Sequence, residues 1–333
     1  MPWPIIGHDW AVTLLRQSLA AGRVSHAYLF SGPPQVGKTT LARLLAQALN
    51  CAEPGAPCGW CTSCRKIERN THPDVQVITG LGASGGLLID QVRALRHDTA
   101  LAPYEGRCRV LILRQMDRAT PEACNSLLKT LEEPPARVVL LLTAAHRDLL
   151  LPTIVSRCQC LELRPVAPAA IEQALEERGV PAPRAQLLAR LSTGRVGWAI
   201  LAGQDESVVR QRQQDLDQLF SLFSAGRVER LDSAWKISRD GEGARRLIEV
   251  WSTCGRDLLL LHAGDPEHVV NADQLDRLVP MARALSLSQA WALLGAVLEA
   301  AQQLEDNVNP RLALEGLLLK LPHEQPAARL DNR

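Results

Sequence analysis

The spacing of apolar positions changes along this chain. In the first half, short unbroken apolar runs recur: AYLFS at 27–31, PDVQVIT at 73–79, RVLIL at 109–113 and RVVLLLTAA at 137–145, with a turn leading into a fifth within IVSRCQCLEL at 154–163. Runs of this length without alternation mark strands buried on both faces. Between them the period lengthens to three and four. Leu41, Leu44, Leu45, Ala48 and Leu49 follow the first run, and Ile89, Val92, Leu95 and Leu101 follow the second. TPEACNSLLKTLEEPP follows the third. Its Thr120 is placed to cap a helix, Pro121 to occupy the first position and Glu122 the first turn, and Pro134 and Pro135 stop it. Strands alternating with helices predict a parallel α/β sheet covered on both faces.

The pattern breaks at RPVAPAA, 164–170, which reads as a hinge. Residues 169–204 read as short helices around STGRVGWAIL. From 206 to 322 the chain is rich in Leu and Ala at helical spacing, which predicts a helical bundle. The last residues, HEQPAARLDNR, read as a frayed tail, GLGASGG at 80–86 as a flexible turn, and no internal repeat is visible.

Composition narrows the picture by exclusion. With 333 residues, 46% hydrophobic and 22% charged, the chain can bury two or three cores without a disulfide framework. A net charge of +1 gives no global attraction to nucleic acid or membrane, and 4% aromatic content disfavours a base-stacking surface. No basic segment leads into an apolar run at the amino terminus, and no apolar run approaches a membrane span. A cytoplasmic protein with no membrane partner is expected, and in a reducing compartment its nine cysteines are not a disulfide set.

Candidate chemistry lies in three places. The first is GPPQVGKT, Gly32 to Thr39, a G-x-x-x-x-G-K-T loop between a strand and a helix. Its backbone N–H groups can wrap phosphates at a helix start, Lys38 adds a point charge, and Thr39 can ligand magnesium. The second is Cys51-x6-Cys58-x2-Cys61-x2-Cys64, four thiols in fourteen residues of Gly/Pro-rich loop. Such spacing suits a closed structural site for a soft metal, zinc above others. The third is a departure. Phosphoryl transfer needs a carboxylate at the end of a buried strand beside the loop, to position metal or water. After RVLIL the two expected positions hold Arg114 and Gln115, and Asp117, three residues past Arg114, is expected to be displaced; compensation by Asp117 or by Glu132 and Glu133 is the alternative.

In order, GPPQVGKTT, the four-cysteine insertion, NSLLKTLEEPP, TIVSRC and GRVGWA resemble the bacterial DNA polymerase III clamp-loader family, strongly over 5–204 and only in helical character beyond. The resemblance implies an AAA+ P-loop domain over 1–164 with its zinc-binding insertion at 51–64. It also implies a small helical lid over 165–205, an all-α collar over 206–324 and a flexible tail over 325–333. Two subunit types share these motifs. The length and RQMDRATPEACNSLLKTLEEPP are similar to the stator, delta prime, rather than to the gamma/tau motor; an active motor subunit and a zinc-stabilised scaffold with no nucleotide role are the alternatives. By the resemblance, ATP or ADP, with Mg2+, would meet Gly32, Pro33, Gly37, Lys38, Thr39 and Thr40. Ile5, Ile6 and Gly7 would lie beside adenine, Thr143 would be the first sensor, Arg195 the lid sensor, and Arg157 an arginine offered to the neighbouring subunit's ATP. The implied partners are gamma/tau and delta in a five-membered ring, the sliding clamp, and primer-template DNA reached through the complex. Many stators lack the phosphate loop, which is intact here.

Overall fold

The computed structural model describes residues 3–53, 56–82, 85–99, 102–306 and 308–322; the expected tail at 325–333 lies outside them, as do Leu101 and part of the turn at 80–86. By internal contacts the chain divides into two units, one of residues 1–179 and 192–199, the other of 180–191 and 200–333. The segment expected as a lid contributes to both.

The first unit is built on five strands, β1 (Ala27–Ser31), β2 (Val75–Ile78), β3 (Arg109–Leu113), β4 (Val138–Ala144) and β5 (Gln159–Glu162). They pair in the order β2-β3-β4-β1-β5, every pair parallel. β1, β3 and β4 are buried along their whole length, as unbroken apolar runs demand. The edge strand β5 alternates more freely, with Leu161 inward and Cys160 exposed. The sequence-derived strands thus form one parallel sheet, and the carboxyl ends of β1, β3 and β4 meet along one rim.

Helices α1 (Asp9–Ala20), α2 (Lys38–Asn50), α3 (Thr62–Glu68), α4 (Ile89–Thr99), α5 (Pro121–Glu132), α6 (Pro152–Val155) and α7 (Pro168–Glu176) accompany the sheet. α1 and α2 close one face with Leu15, Leu41 and Leu45 against Tyr28, Phe30, Val110 and Ile112. α4 and α5 close the other with Val92, Leu95, Leu127 and Leu131 against Leu29, Leu111 and Leu140. Each such side chain, fully buried, contributes about 1.5–3 kcal/mol of transfer free energy. α5 starts where expected: the Thr120 side chain accepts from the Ala123 N–H and Pro121 is its first residue.

The second unit is all helical: α8 (Ala182–Leu191), part of α9 (Val196–Gln204), α10 (Glu206–Ser224), α11 (Arg227–Ser238), α12 (Gly241–His262), α13 (Leu275–Ala284), α14 (Leu287–Glu305) and α15 (Pro310–Lys320). Its core gathers around Trp251, which is fully buried and donates its indole N–H to the Asp215 carbonyl at 2.8 Å. Charged groups also lie inside, Arg212, Asp215, Arg230 and Asp257 among them, and the last two are the most buried. Arg230 donates to the carbonyls of Leu222, Phe223, Leu318, Leu321 and Pro322, satisfying the open ends of α10 and α15. Asp257 accepts from the N–H groups of Val270 and Asn271, and its burial raises its pKa. Among the described residues no single helix is long and apolar enough to cross a membrane.

Candidate nucleotide and metal sites

The glycine loop leaves the end of β1 and enters α2. Gly32 has φ +139, and a Cβ there would sit 2.1 Å from the Leu163 carbonyl oxygen, so only glycine fits against β5. Gly37 precedes α2 at φ +113, again a conformation that favours glycine. No side chain caps α2, so its first backbone N–H groups have neither intrahelical partners nor a side-chain cap. An anion is the natural partner of such an end, and polyphosphate therefore fits this loop.

Three contacts hold the loop from outside. The Gly32 N–H donates to Ala145 at the end of β4 (3.0 Å), the His8 ring meets the Val36 carbonyl (3.0 Å), and the Gly197 N–H donates to Gln35 (2.8 Å). Gly197 lies in the first turn of α9. Lys38 lies within the loop, its ammonium donating to the carbonyls of Gly32 and Pro33, the latter at 2.7 Å. Burial pulls the Lys38 pKa down to about 8, while the Asp117 carboxylate acts the other way.

The remaining expected residues fall around this rim. Thr39 and Thr40 form the first turn of α2, Thr39 half-buried and Thr40 exposed. Ile5 lies 3.7 Å from the Cβ position of Gly37, Ile6 is half-buried beside it, and Gly7 at φ +69 packs against Val166. Thr143, buried in β4 beside Phe30 of β1, accepts from the Gln115 N–H at 3.2 Å. Arg195 sits just before α9, its Nε donating to the Ser192 carbonyl at 3.0 Å. Arg157 lies elsewhere, past the end of α6, with its Nη2 2.9 Å from Glu132.

Asp117 is not displaced as expected. Gln115 takes a left-handed conformation (φ 53), and a 3-10 turn over Met116–Arg118 follows, pinned by buried Met116. The turn brings the chain back to the rim, where the Asp117 carboxylate accepts from the Ala145 N–H at 3.2 Å. Ala145 is the residue that also binds Gly32. Nothing in the residue order announces this return, which depends on one left-handed glutamine. The loop contacts of His8 and Gly197 are equally silent in the residue order: the His8 ring meets a backbone carbonyl of the loop and Gly197 donates its backbone N–H to another, and backbone partners carry no composition signal.

The four cysteines come together. Cys51 follows α2, Cys58 and Cys61 lie in the loop, and Cys64 is in the first turn of α3. Their sulfurs all lie within 4.8 Å of one another, with Cys51–Cys61 at 4.0 Å and Cys58–Cys64 at 3.9 Å. Tetrahedral zinc with bonds of about 2.3 Å requires sulfurs about 3.8 Å apart. The backbone N–H of Cys61 donates to the Cys58 sulfur, and that of Cys64 to the Cys61 sulfur, an orientation that supports thiolates. The cluster can hold a metal ion, and four thiolates would complete a tetrahedral ligand set. It is tied to the sheet unit through Gln47, which donates to the Cys64 carbonyl (3.1 Å) and to Glu68.

Comparison with known proteins shows the family of the chain. A model described as "DNA polymerase III, delta subunit" matches residues 7–167, and one described as its C terminal matches 208–323. The chain is 31% identical to the DNA polymerase III subunit delta' of Bacillus subtilis over 92% of this chain and 94% of that protein. It is 36% identical to the DNA polymerase III subunit tau of Salmonella typhimurium over 78% of this chain but 42% of that longer protein. Among solved structures it is similar to a gamma subunit-related protein of Thermotoga maritima, with 19% identity, coverage of 93% and 98%, and a TM-score of 0.40.

Proposed function

Because the chain belongs to the delta prime/gamma/tau clamp-loader family of DNA polymerase III, we propose that it serves as the stator, delta prime, in loading a sliding clamp onto primer-template DNA. It holds ATP or ADP and leaves hydrolysis to its neighbours. The observation that carries this reading is the composition of one rim. The loop keeps Gly32, Gly37, Lys38 and Thr39 against an uncapped helix start, while the strand end beside it carries Arg114 and Gln115. Binding chemistry is thus present without the carboxylate pair that positions metal and water.

Each remaining role follows at its own position. Thr40 flanks the phosphates at the start of α2, the Pro33 carbonyl is released when Lys38 turns to them, and Ile6 borders the base. Thr143 on β4 is the first sensor, and Arg195, just before α9, the lid sensor. If Mg2+ accompanies the nucleotide, Thr39 and Asp117 are the groups that would hold it. The four cysteines suit structural zinc. The segment 165–205 acts as the lid, and 206–324 as the collar that joins gamma/tau and delta subunits in a ring.

Arg157 is the chain's contribution to catalysis, stabilising charge on the phosphoryl group transferring in an adjoining subunit, an effect of about 10³–10⁵ in rate where it operates. Arg157→Ala in the assembled complex is expected to preserve assembly and sharply lower ATP turnover. Wild-type turnover would remove the trans role.

A further inference from the structure

Arg157 is already engaged within its own chain. Its Nη1 donates to the Thr153 carbonyl (3.0 Å) and to the Ser156 hydroxyl (3.4 Å). Its Nη2 lies 2.9 Å from the Glu132 carboxylate. These contacts engage at most three of the five N–H groups of a guanidinium, and the side chain remains about a third exposed. Glu132 is the last residue of α5, where a carboxylate opposes the helix dipole. The twelfth and last residue of α5 is thus an acid where a helix end favours a base, and Arg157 is the cation that answers it.

We propose that Glu132 is the positioning residue for Arg157, holding its guanidinium extended from the surface so that the unused N–H groups are presented to a triphosphate outside the chain. This inference rests on the trans role given to Arg157 above. An unrestrained arginine samples many rotamers and reaches a neighbour's phosphoryl group in few of them. Thr153 and Ser156 fix one edge of the guanidinium from below, and Glu132 fixes the other. The pair is partly in solvent, so a phosphate can approach the unused N–H groups while the contacts to Glu132, Thr153 and Ser156 hold the guanidinium in place.

The test is steady-state ATP turnover by the assembled complex with Glu132→Gln, Arg157→Ala and the two together. Glutamine keeps the size of the side chain and removes its charge. We expect E132Q to lower kcat by about three- to tenfold, because loosened orientation forfeits part of the arginine's effect. KM for ATP should not rise, since one negative charge near the phosphates is gone. In the Arg157→Ala background E132Q should change nothing further, which a merely structural role would not give. Wild-type kcat in E132Q with a low kcat in Arg157→Ala overturns the positioning role alone. A further loss from E132Q in the Arg157→Ala background also overturns it, because Glu132 would then act elsewhere. Wild-type kcat in Arg157→Ala overturns the trans reading itself.

Discussion

Lys38 concentrates the account at the scale of one residue. With its ammonium on the Gly32 and Pro33 carbonyls, it must exchange those acceptors for phosphate oxygens when nucleotide arrives. Lys38→Ala is therefore expected to abolish nucleotide binding by the chain while leaving assembly with its partners intact; calorimetry and gel filtration read the two separately. The pKa near 8 adds a sign. Bound phosphates favour the ammonium, so the complex keeps its proton to higher pH than the free loop does. Affinity should be flat below pH 8 and fall above it, by up to about tenfold per pH unit. An affinity that rises between pH 8 and 9.5 would place Lys38 away from the phosphates. Asp117→Asn tests the other charge: the part of ATP affinity that depends on magnesium should disappear and the part measured in chelator should persist.

Elements were more legible than the contacts between them. β1 and β3 are read directly because a parallel strand buried on both faces has no alternation to confuse, and α5 because Thr120 and Pro121 mark its start. The cysteine cluster is equally plain, since thiolate spacing carries geometry with it. One zinc ion per chain is expected by elemental analysis, and Cys58→Ser should lower metal content and the unfolding temperature together; full stability without metal would contradict a structural site. The helical unit hid more. Nothing in the helical sequence sets Arg230 and Asp257 apart from its other charges, yet both are buried, because helix ends and a buried turn need donors and acceptors that apolar side chains lack. Arg230→Met removes the donors for five carbonyls and should cost on the order of 3 kcal/mol, seen in denaturant unfolding. The return of Asp117 was illegible for a related reason: it depends on a backbone conformation at Gln115 that glutamine rarely adopts.

For the whole molecule, the account separates holding nucleotide from spending it. In the proposed reading the loop, the helix start and Lys38 supply binding in this chain, and Arg157 supplies a charge to a site in another. The resemblance visible in GPPQVGKTT, LLKTLEEPP and SRC reached the family, and the comparisons bear that out. What residue order left open is whether Asp117 at the rim makes up for Arg114 and Gln115. ATP binding and turnover by the isolated chain, with and without magnesium, decide this most directly. The account predicts saturable binding that Lys38→Ala removes, with negligible turnover under either condition. Magnesium-dependent turnover abolished by both Lys38→Ala and Asp117→Asn would contradict it, and would make this chain a motor in its own right.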